Sequence, residues 1–139
     1  MIRVAVICLT VLAACGYSRA ADGRVVVEDD RGGPITEYEQ KRAILAYHPA
    51  GIILCGNIGS AATIFVSLPN ACACPDALFH FHGARVGIHH SPEGTAVMAS
   101  YYPEPLRDWY LREAAHLILT DYVTLTAQEL ATMNVLEIC

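Results

Sequence analysis

The sequence predicts an α/β fold: a small layered domain of βαβ units with a helical C-terminal part. Three observations predict it. Between Arg24 and Phe81, short apolar or β-branched runs alternate with longer stretches of helical character, in the order strand, helix, strand, helix, strand. Glycine and proline punctuate the junctions, at Gly32-Gly33-Pro34, Pro49-Ala50-Gly51, Gly56 and Pro69. Past Gly83 the segments Thr95 to Tyr102, Pro105 to Leu119 and Thr126 to Met133 read as helices. Any crossover between parallel strands should be right-handed.

Each element has a local reason. Arg24 to Glu28 is a β-branched run and reads as a strand, and Asp29-Asp30-Arg31-Gly32-Gly33-Pro34 as the turn after it. Ile35 to Tyr47 reads as a helix with Pro34 suited to its first turn; Ile35, Tyr38, Ile44, Leu45 and the stem of Arg42 can share one face. Ile52 to Cys55 is a short apolar strand, followed by a Gly-Asn-Ile-Gly elbow and a second helix from Ser60 to about Leu68, which Pro69-Asn70 ends. Ala77 to Phe81 reads as a third strand. Thr126-Ala127-Gln128-Glu129 is a capping box, with Thr at the N-cap and Glu at N3.

The first twenty residues bear on compartment. Arg3 precedes an apolar run from Val4 to Ala14 that is too short to span a bilayer, the pattern of a signal peptide. Two processing sites fit: after Ala20, and at Cys15, where Leu12-Ala13-Ala14-Cys15 reads as a lipobox. Either implies an exported protein, periplasmic, secreted or lipid-anchored. Residues 21–139 would then form a single domain with a modest core.

Charge and cysteines narrow the class further. All 14 acidic residues but only seven of the nine cations lie beyond Ala20, a net charge of about −7 with histidine neutral. That sign argues against nucleic acid or an anionic membrane as main partner, since each needs a basic footprint. Cys8 and Cys15 belong to the leader; Cys55, Cys72, Cys74 and Cys139 remain. An even number in an oxidising compartment favours disulfides, with three connectivities open. Cys139 suggests a tail stapled to the body, most simply at Cys72 or Cys74, while Cys55, in an apolar strand, also fits a buried free thiol.

The chemistry concentrates at Ser60. A serine opening a helix has its hydroxyl raised above the strand ends, and the helix N-terminus offers positive potential and free N–H groups where an oxyanion would form. Gly56, Gly59, Ala61 and Ala62 leave the backbone around it open to a substrate carbonyl. The plainer role for Ser60 is a helix N-cap. Along the third strand His80 and His82 point one way and Phe79 and Phe81 the other, so two imidazoles compete for the role of base.

The order Gly32-Gly33-Pro34-Ile35-Thr36, a helix and strand, Gly56 through Ser60-Ala61, and Phe81-His82-Gly83-Ala84 resembles the core of the Clp peptidase subunit, in the Clp/crotonase superfamily. The resemblance spans roughly Val25 to Ala84. It implies a layered ββα-type domain, Ser60 as nucleophile, His82 as general base, and the N–H groups of Gly33 and Ala61 as the oxyanion hole. Small exported bacterial proteins of this superfamily are also similar, with Tyr-Pro and Arg-x-Trp elements matched here by Tyr102-Pro103 and Arg107-Asp108-Trp109. Where they carry cysteines flanking the serine, this chain has Ile58 and Ala62. The third catalytic candidate is Asp121; aligning Leu125-Thr126-Ala127 with the Clp ending places Tyr122 at the aspartate position instead.

The resemblance thus implies acyl transfer on a peptide or ester, with no cofactor. No ATP-dependent unfoldase is expected as partner for an exported chain, and a homo-oligomer through helix faces stays open. A Clp-like interaction domain with a decayed site is the first alternative. A metal-binding protein using Cys72, Cys74, His80, His82, His89 and His90 is the second, although Cys-x-Cys matches no closed zinc template and oxidised cysteines cannot ligate.

Overall fold

The structure, a computed structural model, describes residues 17–139. The apolar leader, Cys8 and the lipobox at Cys15 lie outside the described residues. The chain is mixed α/β, as its strand and helix pattern predicts.

The first sheet is built from strands whose alternate residues face the core. Strand β1 (Ser18–Arg19) pairs antiparallel with β2 (Val25–Glu28), which pairs in parallel with β3 (Ile52–Cys55). Val25, Val27, Ile52 and Leu54 are fully buried while their neighbours face outward, the period-2 pattern of a strand. Helix α1 (Ile35–Leu45) crosses between β2 and β3, buries Tyr38 and Leu45, and ends two residues before the expected Tyr47.

At the end of β3 the chain turns a corner into a second sheet. Gly56 has φ +66, and a side chain there would run into the Asp29 carboxylate. That carboxylate accepts the Asn57 N–H at 2.9 Å, which starts β4 (Asn57–Gly59) in its new direction. The stretch expected to be an irregular elbow is therefore a strand.

The segment after β4 is a 3-10 helix, Ser60–Ser67, in place of the expected second α-helix. Six of its eight residues, Ala61 to Val66, are buried. Its β-branched Thr63, Ile64 and Val66 form α-helix less readily, and tight packing against α1, β5 and β6 favours the narrower helix.

Strand β5 (Ala71–Ala73) joins the first sheet beside β3, and β6 (Leu78–Phe81) pairs with β4 in parallel. Phe79 and Phe81 are wholly buried while His80 and His82 are half-buried, the alternation read from the sequence. A small hairpin follows, β7 (Arg85–Val86) and β8 (His89–His90). Helices α2 (Pro92–Tyr101) and α3 (Glu104–Glu113) come next; the helix expected to run to Leu119 stops at Glu113. Strand β9 (Val123–Thr126) pairs antiparallel with β6, and α4 (Ala127–Thr132) begins with the expected Thr126–Glu129 capping box. Strand β10 (Glu137–Ile138) returns to the first sheet beside β5.

Among the described residues two disulfides close the layers. Cys72 pairs with Cys139, the staple foreseen for the tail, and the Cys139 N–H reaches the Ala73 carbonyl at 2.9 Å. Cys55 pairs with Cys74, which overturns the free-thiol reading: parallel β3 and β5 bring their Cα atoms to 5.0 Å, within disulfide range. Such bridges fit an oxidising compartment. Among the described residues no helix is long and apolar enough to cross a membrane.

The N-terminal edge reaches further back than Ala21. Ser18 and Arg19 hold register against Val26 and Val25, and the Tyr17 hydroxyl donates to Asp30 Oδ2 at 2.6 Å.

Candidate active site

Ser60 occupies the position its neighbours allow and its own side chain resists. Its φ is +53, in the left-handed region that non-glycine residues seldom adopt. The preceding Gly59 is extended, so the backbone reverses sharply at Ser60 as strand gives way to helix. Such a turn lifts a hydroxyl out of the backbone path. Ser60 caps nothing with its side chain; the 3-10 helix has Gly59 at its N-cap. Its carbonyl accepts from Thr63 Oγ1 at 2.6 Å, and the Thr63 hydroxyl also meets Tyr102 Oη at 2.6 Å within the core.

The Gly32-Gly33 turn lies directly against this elbow. Gly32 has φ +88, and a Cβ on it would sit 2.8 Å from Ser60 Cβ and 2.9 Å from the Ala61 nitrogen. Asp30 fixes the approach from both sides. Its carbonyl accepts the Gly59 N–H at 2.8 Å, and its carboxylate accepts the Gly32 N–H at 3.0 Å. Neither the Gly33 nor the Ala61 N–H donates to another group among the described residues. Two free donors thus belong to the two backbone segments packed at Ser60.

His82 follows β6 and is held through its backbone. Tyr110 Oη donates to its carbonyl at 3.0 Å, and the next N–H, of Gly83, reaches the Leu117 carbonyl at 2.7 Å. Burial pushes the Tyr110 phenol pKa up, keeping it a neutral donor. His82 Nδ1 lies 2.6 Å from the Gly83 carbonyl. A carbonyl oxygen only accepts, so Nδ1 carries a proton, and in the neutral ring that leaves the lone pair on Nε2. Ser60 and His82 both line a cavity of about 950 Å³, with Gly32, Gly33 and the first turn of α1. They meet again in a second of about 310 Å³. Ser60 Oγ makes no hydrogen bond among the described residues, to His82 or to any other group.

His80 has a different environment. Its Nε2 meets Asn57 Oδ1 at 2.9 Å and its Nδ1 meets Thr124 Oγ1 at 2.8 Å, so both nitrogens are occupied. Burial, with a smaller contribution from Arg31, lowers its pKa. The Tyr122 ring packs edge-on against it at 5.1 Å. Of the two histidines, His82 is the one with a nitrogen to spare. The chain matches no protein-family model and no curated protein.

Asp121 is not brought to His82. It is exposed in the loop before β9, lines neither cavity, and its side chain makes no hydrogen bond among the described residues. Its loop reaches the site through Leu119 in both cavity walls, Thr120 in the larger and Tyr122 in the smaller. The alternative metal set does not converge either. Cys72 and Cys74 are in disulfides, His80 is engaged, and His90 Nε2 lies 2.7 Å from the Ala115 carbonyl. No group of three or more potential ligands forms among the described residues.

Three residues of the site were not singled out from sequence. Asp30 and Arg31 stood only as members of a turn, and Tyr110 as one residue of a helix. An aspartate two positions before a glycine is a recognisable signal for a side chain closing its own turn. The reach of Tyr110 to His82 had no signal, because it depends on how α3 docks.

Proposed function

We propose that this chain is an exported serine hydrolase of the Clp/crotonase type, performing acyl transfer on peptide or ester substrates. The observation that carries the reading is Ser60, held at φ +53 in one cavity wall with a histidine whose Nδ1–H is spoken for and whose Nε2 is not. Non-glycine residues in that conformation concentrate at functional sites.

The chemistry follows from the groups present. Nε2 of His82 takes the proton of Ser60 Oγ as the oxygen bonds to the substrate carbonyl carbon. The carbonyl oxygen gains the negative charge, and the Gly33 and Ala61 N–H groups donate to it. Collapse expels the leaving group, which takes the proton from Nε2, and water repeats the cycle on the acyl-enzyme. The Gly83 carbonyl supports the tautomer in place of a carboxylate. It orients the ring but offers less stabilisation to an imidazolium than an aspartate would, so a modest rate is expected.

The test is labelling of the purified protein with a fluorophosphonate. Labelling in wild type that disappears in both Ser60→Ala and His82→Ala supports the hydrolase. A folded wild type that stays unlabelled favours the decayed-site alternative.

A further inference from the structure

The protein is acidic, with 14 acidic residues against nine cations, yet the two cavities that meet at Ser60 contain no aspartate or glutamate in their walls. Their charged lining is Arg31 in both and Arg85 in the larger. Several cations elsewhere are engaged: Arg24 pairs with Asp22 at 2.8 Å, Lys41 with Glu37 at 3.0 Å, and Arg112 with Glu113 at 3.7 Å. Arg42 donates to Ser67 and to the Ile64 carbonyl. Arg31 is exposed and forms no salt bridge or hydrogen bond among the described residues. The Asp29 carboxylate attracts it through space while accepting the Asn57 N–H, and the Asp30 carboxylate accepts from Tyr17, Tyr38 and Gly32.

The backbone adds the same sign. The larger cavity is walled by Pro34, Ile35 and Thr36 at the start of α1, and by Ser91 and Gly94 at the start of α2. Helix starts carry partial positive charge. A guanidinium that forms no hydrogen bond or salt bridge among the described residues, two helix starts and walls free of acids make one concave region of an acidic surface favourable to anions.

We infer that the cleft around Ser60 takes an anionic substrate, an acyl compound or peptide bearing a carboxylate near its reacting carbonyl, with Arg31 as the residue that receives the carboxylate. This rests on the hydrolase reading for the reaction, though not for the binding. The remaining wall, including Ile35, Met98 and Leu119, is apolar and suits the hydrocarbon part of such a molecule.

Two measurements separate binding from turnover. The first compares 4-nitrophenyl monosuccinate with its neutral methyl ester. Wild type should favour the anion by about tenfold or more in kcat/KM, as a hydrogen bond between charged groups allows. Arg31→Gln should collapse the ratio towards one. Equal or faster hydrolysis of the neutral ester, or a ratio untouched by Arg31→Gln, overturns the inference.

The second uses Ser60→Ala and follows amide chemical shifts with monomethyl succinate, acetyl-Ala-Ala, and the amides of both. Saturable binding of either acid over its amide, lost in the Ser60→Ala/Arg31→Gln double variant, supports the inference even if neither ester is hydrolysed, in which case only the hydrolase reading falls. Preference for the dipeptide acid identifies a peptide C-terminus, and preference for the succinate a small dicarboxylic acid. Equal binding of acid and amide, or binding of neither, overturns the inference.

Discussion

The Tyr38 hydroxyl donates to Asp30 Oδ1 at 2.5 Å, and the same carboxylate accepts the Gly32 N–H at 3.0 Å. Tyr17 holds the other oxygen at 2.6 Å. The turn that presents Gly33 is thereby tied to helix α1 and to the N-terminal edge of the sheet. Asp30 positions the turn without facing a substrate itself.

Replacing Asp30 should therefore affect stability and reactivity together. Asp30→Ala removes hydrogen bonds to a charged acceptor from two phenols and one backbone N–H, and a loss of about 2–4 kcal/mol is expected. Asp30→Asn keeps the shape and loses the charge, so it should fold more stably than Asp30→Ala. Its rate of fluorophosphonate labelling at Ser60 should still fall about tenfold or more, as loss of an oxyanion donor does. Urea melts alongside labelling rates check both, and a wild-type labelling rate in Asp30→Asn would remove Asp30 from the site.

Tyr17 and β1 give the choice of processing site a structural consequence. Cleavage after Ala20 would remove Tyr17, its bond to Asp30, and both residues paired with β2. A chain beginning at Ala21 should be less stable than one beginning at Gly16, by about 1–3 kcal/mol. Processing at Cys15 would retain the whole interaction. Mass spectrometry of the protein isolated from its native host reads whether and where the chain is cut, and melting of the two recombinant chains reads the energetic difference. Equal melting of the two would show that Tyr17 adds nothing.

The legible part of the fold was carried by signals within single segments. The β-branched run at Val25–Val27, the turn at Gly32-Gly33 and the capping box at Thr126 each announce themselves locally. What was hidden depends on partners: β4, β5 and β10 have two or three residues each, too few for any period to emerge, and β9, no shorter than β2, is defined by its pairing with β6. At the site, Ser60 and His82 stood out because their neighbours are unusual. The support of His82 by the Gly83 carbonyl was invisible, since it is a backbone group and any residue would supply it.

Cys72 and Cys139 are 67 residues apart, and their bridge fastens the last strand. Chain-entropy arguments put such a closure at about 4 kcal/mol. The Cys72→Ser/Cys139→Ser pair should lose about 2–5 kcal/mol, and strand β10 should exchange its amide hydrogens faster than β2 or β3. Oxidised protein should show no reactive thiol at Cys55, Cys72, Cys74 or Cys139. A free thiol at Cys55 in folded protein would contradict the pairing with Cys74.

His80 sets a sign for acid sensitivity. Its folded pKa is lowered from the ordinary 6.5, chiefly by burial and next by Arg31, so near that pH the unfolded chain binds more protons than the native one. Its contribution is present in full above about pH 6.5 and is lost as the pH falls through the lowered native value. His48, lowered by burial and by Arg19, acts in the same direction. Thermal melts between pH 8 and pH 5 should therefore drop on the acid side, and His80→Gln should flatten the drop without abolishing it. Identical slopes in the two proteins would dismiss His80 as a contributor.

The conformation of Ser60 makes function and stability pull apart at a single position. Any residue with a Cβ held at φ +53 carries a penalty of about 1–2 kcal/mol that glycine does not. Ser60→Ala keeps the penalty and removes the hydroxyl proposed as nucleophile; Ser60→Gly removes both. Both variants should lose fluorophosphonate labelling completely, while Ser60→Gly should unfold at higher denaturant than Ser60→Ala, by about 1 kcal/mol. Gly32→Ala supplies the opposite sign, since its Cβ would lie within 2.9 Å of the elbow backbone at an unfavourable φ. It should destabilise the protein and slow labelling while leaving the Ser60 hydroxyl in place. A Ser60→Gly protein no more stable than Ser60→Ala would mean that the turn relaxes without its hydroxyl, and the strain would then lose its standing as a mark of the site.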